Sequence, residues 1–432
     1  MSHLRLYYTF IRVVDRYSFN LLIVSLFFLR LPPLHLLPAF GTFTVSHTIA
    51  RISLLVICLP LLPKIRDVIY KNKLFSMILI FYFATQSFSI IHAVNIDQFL
   101  LMYKTTVFGI IIYFIILSSL DSPKKFEAII KVLVITTVID LGYQTIIYFY
   151  PNRLNTLIEP LLYGKYWQVL NINSLRGRYF VDIYDSALIP IFLFYTINKA
   201  KGEIAQFGYL FVSGSILFFA VLSNFRTQVL MYLFSFASSI LLFTKRVRTS
   251  FVVAGILFSF LYVSFVISNQ FMGLNAIDRI LSPTSSDYST ITTRINWWEQ
   301  SFKMAESNPI FGVGLGNFYD NVQGKHIFRF SFFDWKNQFE QVTLTDPHDI
   351  FFETMAETGF LGLMSLLLLL GYFVYIDITL FKRSHFRSYI IISFWSLFIF
   401  ALFNPPTPLQ YVALFWVLRA MIFSEQFLPK SA

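Results

Sequence analysis

Apolar runs of about 18 to 22 residues recur along this 432-residue chain, each long enough to cross a hydrocarbon core of about 30 Å. Inside lipid every backbone amide and carbonyl must find a partner within the protein, which leaves helices and closed barrels as spanning structures. A barrel would show shorter alternating segments of about ten residues. The expectation is therefore an all-α, polytopic membrane protein. Its 56% hydrophobic and 13% charged residues agree, since soluble domains carry about a quarter charged residues.

About twelve spans are expected: 18–40 (broken near Pro32 and Pro33), 43–63, 75–93, 98–120, 127–150, 182–198, 206–223, 226–243, 250–267, 352–380, 387–404 and 408–424. They form a single membrane domain over 1–432, with a large loop at 268–351 and a smaller one at 151–181. Residues 1–17 carry Arg5, Arg12 and Arg16 without a small-residue cleavage site after them, which reads as a retained signal anchor. Loops on one side hold Lys64, Arg66, Lys71, Lys73, Lys124, Lys125, Lys199, Lys201, Lys245, Arg246, Arg248, Lys382 and Arg383. The short loops 94–97, 223–225 and 405–407 hold no Lys or Arg. The positive-inside rule then places both termini in the cytoplasm and the two long loops outside. The net charge of +11 is thus an orientation signal and not a nucleic-acid footprint. A single cysteine, Cys58, excludes an internal disulfide, and the histidines lack metal-ligand spacing.

Three outward segments bring arginines. Arg176 and Arg178 precede the sixth span, Arg226 opens the eighth, and Arg294 lies in the large loop. Guanidinium keeps its charge in poor solvent and grips phosphate oxygens bidentately. Ordinary pairing with carboxylates such as Asp182 and Asp185 is the competing role, with lipid headgroups as alternative partners. A helix is expected over about 291–307, with Ile295, Trp298, Phe302 and Ala305 on one face; Trp297 and Trp298 suit a membrane interface. Gly312, Gly314 and Gly316 allow backbone amides to approach an anion, or simply make a tight turn. Asp346 is expected to cap the next helix, with Pro347 in first position and His348 in the first turn. The helix N-terminus favours a neutral, base-competent imidazole there, while Asp346 and Asp349 oppose that effect. Asp349, Glu353 and Glu357 recur every four residues on one face, available to balance arginines, orient His348 or bind a sugar hydroxyl. For Glu357 structural pairing is the simpler role. Arg30, Arg51, Lys104, Asp140 and Arg419 are near-membrane charges without an assigned role.

Thr293-Arg294 with Trp297, Asn308-Pro309-Ile310-Phe311-Gly312-Val313-Gly314-Leu315-Gly316-Asn317-Phe318, and Pro347-His348-Asp349 followed by Glu357-Thr358-Gly359-Phe360-Leu361-Gly362-Leu363 resemble the O-antigen ligase and O-antigen polymerase superfamily. Arg226 after Ser223-Asn224-Phe225 and the stretch Arg176-Gly177-Arg178-Tyr179-Phe180 are similar to its other arginine motifs. The resemblance implies a bacterial inner-membrane glycosyltransferase without metal or cofactor. Such an enzyme moves a glycan from undecaprenyl diphosphate to an acceptor hydroxyl at the periplasmic face. It implies His348 as general base and Arg226, Arg294, Arg176 and Arg178 as the diphosphate clamp. Asp349, Glu353, Gly312, Gly314 and Gly316 would support them. The acceptor is another lipid-linked repeat in a polymerase, the slightly favoured reading, and lipid A–core in a ligase. A chain-length regulator protein is a further implied partner. The family often has Asn where this chain has Asp349. A transporter or flippase, suggested by Asp140 and Lys104, is the rival from another class.

Overall fold

A computed structural model describes residues 17–30, 45–149, 183–196, 203–222, 226–242, 285–322, 347–381, 386–404, 406 and 409–424. Regular structure among them is helical throughout. In chain order the helices are α1 (Tyr17–Arg30), α2 (Val45–Lys71), α3 (Lys73–Phe88) with a 3-10 turn Ser89–His92, α4 (Ile96–Ser119) and α5 (Pro123–Phe149). After them come a 3-10 turn Ile183–Leu188 leading into α6 (Ile189–Phe194), then α7 (Glu203–Leu222), α8 (Arg226–Leu242) and α9 (Ser285–Ser307). The set closes with the short α10 (Phe318–Asn321), α11 (Ile350–Leu380), α12 (Phe386–Ala401) and α13 (Leu409–Ser424).

Among the described residues three stretches are long and apolar enough to cross a membrane: Lys73–His92, Ile96–Ser119 and Ile350–Leu380. They coincide with the expected runs 75–93, 98–120 and 352–380. Shorter apolar helices occupy Tyr17–Arg30, Tyr184–Phe194, Ile204–Ala220, Phe386–Ala401 and Leu409–Ser424. The expected run 250–267, the loop 151–181 and the Pro32–Pro33 break lie outside the described residues. α2 passes its expected end at Pro63 and continues to Lys71. Proline has a helical φ, and its missing amide removes only one bond of the ladder.

Two buried ion pairs hold the helices in register. Arg419 of α13 is fully buried and Asp377 of α11 is 4% exposed. Nη1 of Arg419 donates to both carboxylate oxygens of Asp377, at 2.9 and 2.8 Å, and Nη2 donates to the carbonyl of Phe373 at 3.4 Å. Trp395 of α12 donates Nε1 to Asp377 at 2.8 Å. The guanidinium also lies over the rings of Phe373, Phe423 and Phe394, at 4.0, 4.9 and 5.0 Å. A charge in an apolar bundle is tolerable only with such paired and polarisable neighbours. The second pair joins Arg30 of α1 to Asp185, whose Oδ1 also accepts from Thr137 of α5 at 2.9 Å. Asp185 thus serves Arg30, while the expected partners Arg176 and Arg178 lie outside the described residues. The turn 183–188 is packed inside the bundle, where Asp185 is 1% exposed.

One end of the bundle gathers the segments of interest. There α3 ends at His92, α4 begins after its cap Asn95, α11 begins, α12 ends and α13 begins. Phe351 and Phe398 meet at 6.3 Å, so the start of α11 lies beside the last turn of α12. Asn404 donates to Oγ1 of Thr227 at 3.2 Å, which brings the start of α8 to the same end.

The Arg419–Asp377 pair gives a direct test. Arg419→Met alone strands a buried carboxylate and should lower stability by about 3–5 kcal/mol. Adding Asp377→Asn should restore most of the loss, because the neutral amide oxygen still accepts from Trp395. Thermal melting of the single and double variants in detergent decides it; equal losses in both would contradict the pairing.

Candidate functional site

The segment Asn308–Phe318 packs against a break in α11. At Gly359 the backbone has φ 72° and ψ −175°, which interrupts the helix. The break leaves carbonyls of α11 without their intrahelical donors, and the loop supplies replacements. Val313 donates to the carbonyl of Ala356 at 3.0 Å and Gly314 to that of Glu357 at 2.9 Å. In return Phe360 donates to the carbonyl of Pro309 at 2.8 Å. Gly312 has φ +65°, and a Cβ there would stand 2.4 Å from the carbonyl carbon of Glu357. Only glycine permits this approach of two backbones.

The Glu357 side chain completes the junction. Buried at 4% exposure, it accepts from the amides of Gly316 at 2.8 Å and Phe318 at 3.3 Å. Leu315 donates to Oγ of Ser89 at 3.1 Å, Gly312 to the carbonyl of Asn308 at 2.9 Å, and Asn317 to that of Gly314 at 3.0 Å. The amides expected to approach an anion at Gly312, Gly314 and Gly316 are therefore occupied by acceptors from the protein itself. The tight-turn reading holds, and a carboxylate from α11 sits where an anion was expected. Glu357 has the structural role expected of it, with backbone amides as its partners. The buried Asn317 fastens the loop to the α3–α4 turn, accepting from the Asn95 amide at 2.6 Å and donating to the Asn95 carbonyl at 3.2 Å. His92 Nδ1 lies 3.0 Å from the Gly312 carbonyl oxygen.

His348 stands at the start of α11, but not inside it. The N-cap is Asp349, whose Oδ1 accepts from the amides of Phe351 and Phe352 at 2.8 and 3.1 Å. Asp346 lies outside the described residues, and the expected cap there, with His348 in the first turn, is corrected: His348 precedes the cap. Its φ is +56°, alone in that region among the described non-glycine residues. A left-handed residue of this type costs of order 1–3 kcal/mol, and persists where its surroundings hold it. Here the holders are the tryptophans of α9. Trp297 meets the imidazole edge to face at 5.6 Å. Trp298 donates Nε1 to the Pro347 carbonyl at 3.2 Å and stacks on Phe352 at 5.1 Å.

Helix α9 starts at Ser285, earlier than expected. Trp297, Ser301, Met304 and Ala305 turn inward, whereas Ile295 and Phe302 are exposed at 52% and 47%. Helical spacing was legible, but it does not say which face is buried. Arg294 is half-buried, three and four residues before Trp297 and Trp298, on the face that meets His348 and Pro347. Arg226 begins α8 at the same end of the bundle. Arg176 and Arg178 lie outside the described residues. Of the unassigned charges, Asp140 is buried, Lys104 is exposed on α4, and Arg51 lies 5.6 Å from the Phe108 ring centre. Among the described residues no group of three or more His, Cys, Asp or Glu side chains is placed to hold a metal ion.

A cavity of about 120 Å³ opens beneath the loop, between α3, α4, α11 and α13. Glu353, Glu357, Gln86, Thr105, Thr106 and Tyr411 line it, above a floor that includes Leu369, Leu370 and Trp416. Neither Arg294 nor His348 is part of its lining. Sequence reasoning singled out Glu353 but missed Gln86 and Tyr411. The only local signal was a glutamine inside an apolar run.

Burial pushes the Asp349 carboxyl above its ordinary value, against the pull of the Phe352 and Phe351 amides. A carboxyl raised on folding favours the protonated native state, so its contribution to stability falls as pH rises from the ordinary value near 4 through the raised one. Asp349→Asn keeps a capping oxygen and removes the titration. It should match or exceed wild-type stability at neutral pH, with the gap closing as pH falls toward 4, whereas Asp349→Ala should lose about 1 kcal/mol. Melting curves across this range check both signs.

The family model described as O-antigen ligase matches residues 211–367. The matched stretch contains Arg226, Arg294, the Asn308–Phe318 loop, His348 and the break at Gly359. This part of the chain is thus similar to the O-antigen ligase and polymerase superfamily, in a chain whose described helices include three long and apolar enough to cross a membrane. Comparison with curated proteins and with solved structures gave no match.

Proposed function

We propose that this O-antigen ligase-type membrane protein transfers a glycan from a polyprenyl diphosphate, undecaprenyl diphosphate in a bacterial inner membrane, to an acceptor hydroxyl at the periplasmic face. The observation that carries the reading is the seating of His348. A histidine held in a left-handed backbone conformation by Trp297 and Trp298 shares that helix face with Arg294. The start of α8 at Arg226 lies at the same end of the bundle.

The chemistry needs only two services. The acceptor oxygen attacks the anomeric carbon while His348 takes its proton, and the glycosyl–oxygen bond to the diphosphate breaks. The departing diphosphate carries off the bonding electrons, and Arg226 and Arg294 stabilise the charge that grows on it. Arg176 or Arg178 assists. Direct displacement inverts the anomeric centre. No metal or cofactor enters this scheme. In this proposal both termini are cytoplasmic and this end faces outward, a reading supported by the excess of Lys and Arg in the opposite loops.

The acceptor in this proposal is a second lipid-linked repeat, as in a polymerase. Lipid A–core, as in a ligase, is the second reading, favoured by the description of the matching family. A deletion strain separates them: a lost polymerase leaves one repeat on the core, a lost ligase leaves the core bare. Transfer in detergent, where no sealed compartment exists, would exclude a flippase.

His348→Ala, Arg226→Ala and Arg294→Ala should each lower transfer by roughly 10²–10³ or more while the protein still inserts and purifies. The assay is transfer from a defined lipid-linked donor by purified protein. Full activity of His348→Ala would remove the proposed base.

A further inference from the structure

Of the near-membrane charges, Arg30 and Arg419 are answered by buried carboxylates, and Asp140 is itself buried. Arg51 of α2 and Lys104 of α4 are placed differently. The Arg51 guanidinium lies 5.6 Å from the centre of the Phe108 ring, and Lys104 precedes Phe108 by one helical turn on the same face of α4. The two cations are therefore neighbours across the α2–α4 contact. Arg51 is half-buried and Lys104 exposed, and neither side chain makes an ion pair or a hydrogen bond among the described residues. The nearby sequence offers them no carboxylate either: residues 31–66 and 98–120 contain no Asp or Glu. Asp97, the nearest acidic residue on α4, stands two turns before Lys104, about 10 Å along the axis. Both helices run toward basic loops, α2 ending among Lys64, Arg66 and Lys71 and α4 just before Lys124 and Lys125. Arg51 stands 13 residues before Lys64, and Phe108 stands 13 before Asp121. Each interval is about 20 Å of helix, within a hydrocarbon core of about 30 Å. Side chains of a helix lean toward its N-terminus, here the end away from the basic loops. The long arms of Arg51 and Lys104 thus reach toward the headgroups of the opposite leaflet. Two like charges held together at that level repel strongly unless an anion joins them.

We propose that this face binds an anionic phospholipid of the leaflet opposite the basic loops, its phosphate held between the Arg51 guanidinium and the Lys104 ammonium. The inference goes beyond the transfer reaction and takes from the proposed topology only the position of the basic loops. A phosphodiester supplies the missing negative charge, and its oxygens accept from both donors at once. A zwitterionic headgroup carries a cation of its own, which the pair repels. Below Arg51 the exposed residues Ile52, Leu55, Leu59 and Leu62 form a stripe down α2, against which acyl chains lie. The site is separate from the cavity beneath the glycine loop. Helix α4 turns Met102, Thr105 and Thr106 to that cavity, and neither Arg51 nor Lys104 lines it.

Binding is tested apart from turnover. The purified protein in detergent is melted with phosphatidylglycerol, with phosphatidylcholine of the same acyl chains, and with undecaprenyl diphosphate. Phosphatidylglycerol should raise the melting temperature more than phosphatidylcholine does. Arg51→Gln and Lys104→Gln should each weaken phosphatidylglycerol roughly tenfold, whereas Lys104→Arg and the loop variant Arg66→Gln should keep its effect. Each Gln variant removes a charge that lacks a counter-ion, so without lipid it should melt no earlier than wild type. Earlier melting would mean that the protein already satisfies the charge, and would overturn the site. Native mass spectrometry gives an independent count: wild type should retain one more phosphatidylglycerol than Lys104→Gln. Equal effects of the two phospholipids, an unchanged response in both Gln variants, or a loss in Arg66→Gln as large as theirs would overturn the proposal. So would displacement of phosphatidylglycerol from the pair by undecaprenyl diphosphate, which would make it a donor site. Transfer activity of Lys104→Gln in detergent should equal that of wild type, so the lipid site and the transferase reading fail separately.

Discussion

A polar backbone group in an apolar medium must be satisfied by the protein, at a cost of several kcal/mol if it is not. That constraint explains the junction between α11 and the Asn308–Phe318 loop. Gly359 opens the helix, the carbonyls of Ala356 and Glu357 are taken by Val313 and Gly314, and the Pro309 carbonyl takes Phe360 in return. Neither segment is satisfied alone. Several loop amides find no acceptor within the loop, and the broken helix has carbonyls without donors. Glycines at the crossing allow the two backbones to close to this distance.

The junction has consequences on both of its sides. Beyond it, α9 follows the first turn of α11, and the tryptophans of α9 fix Pro347 and His348. Beneath it, the loop roofs a cavity lined by Glu353 and Glu357 among the described residues. In the proposed transfer the leaving group needs positive charge and the nucleophile needs a base, the services assigned above to the arginines and His348.

Much of the helical layout was legible because hydropathy is a local property with a length set by the bilayer. Helices lie over the expected runs at 75–93, 98–120 and 352–380 almost residue for residue. Charge partners were not legible. Asp185 pairs with Arg30, 155 positions away, a partner that no local pattern indicates. The cap of α11 was misplaced by three residues, since Asp346 and Asp349 are equally good capping types and only the backbone path chooses between them. Nor does the sequence tell which face of α9 turns inward, since Ile295 and Phe302 are apolar and yet exposed.

From the residues alone came the helical membrane class, the motif-bearing segments, and the arginines and histidine worth testing. These follow from composition, from run length and from side-chain chemistry, none of which depends on neighbours distant in the chain. Tertiary structure alone decided that the loop glycines meet a broken helix instead of an anion. It also decided that Asp349 is a cap, and that Glu353 and Tyr411 line one cavity. Those outcomes rest on which donor reaches which acceptor once the backbone has taken its path, and a linear pattern carries no record of that pairing.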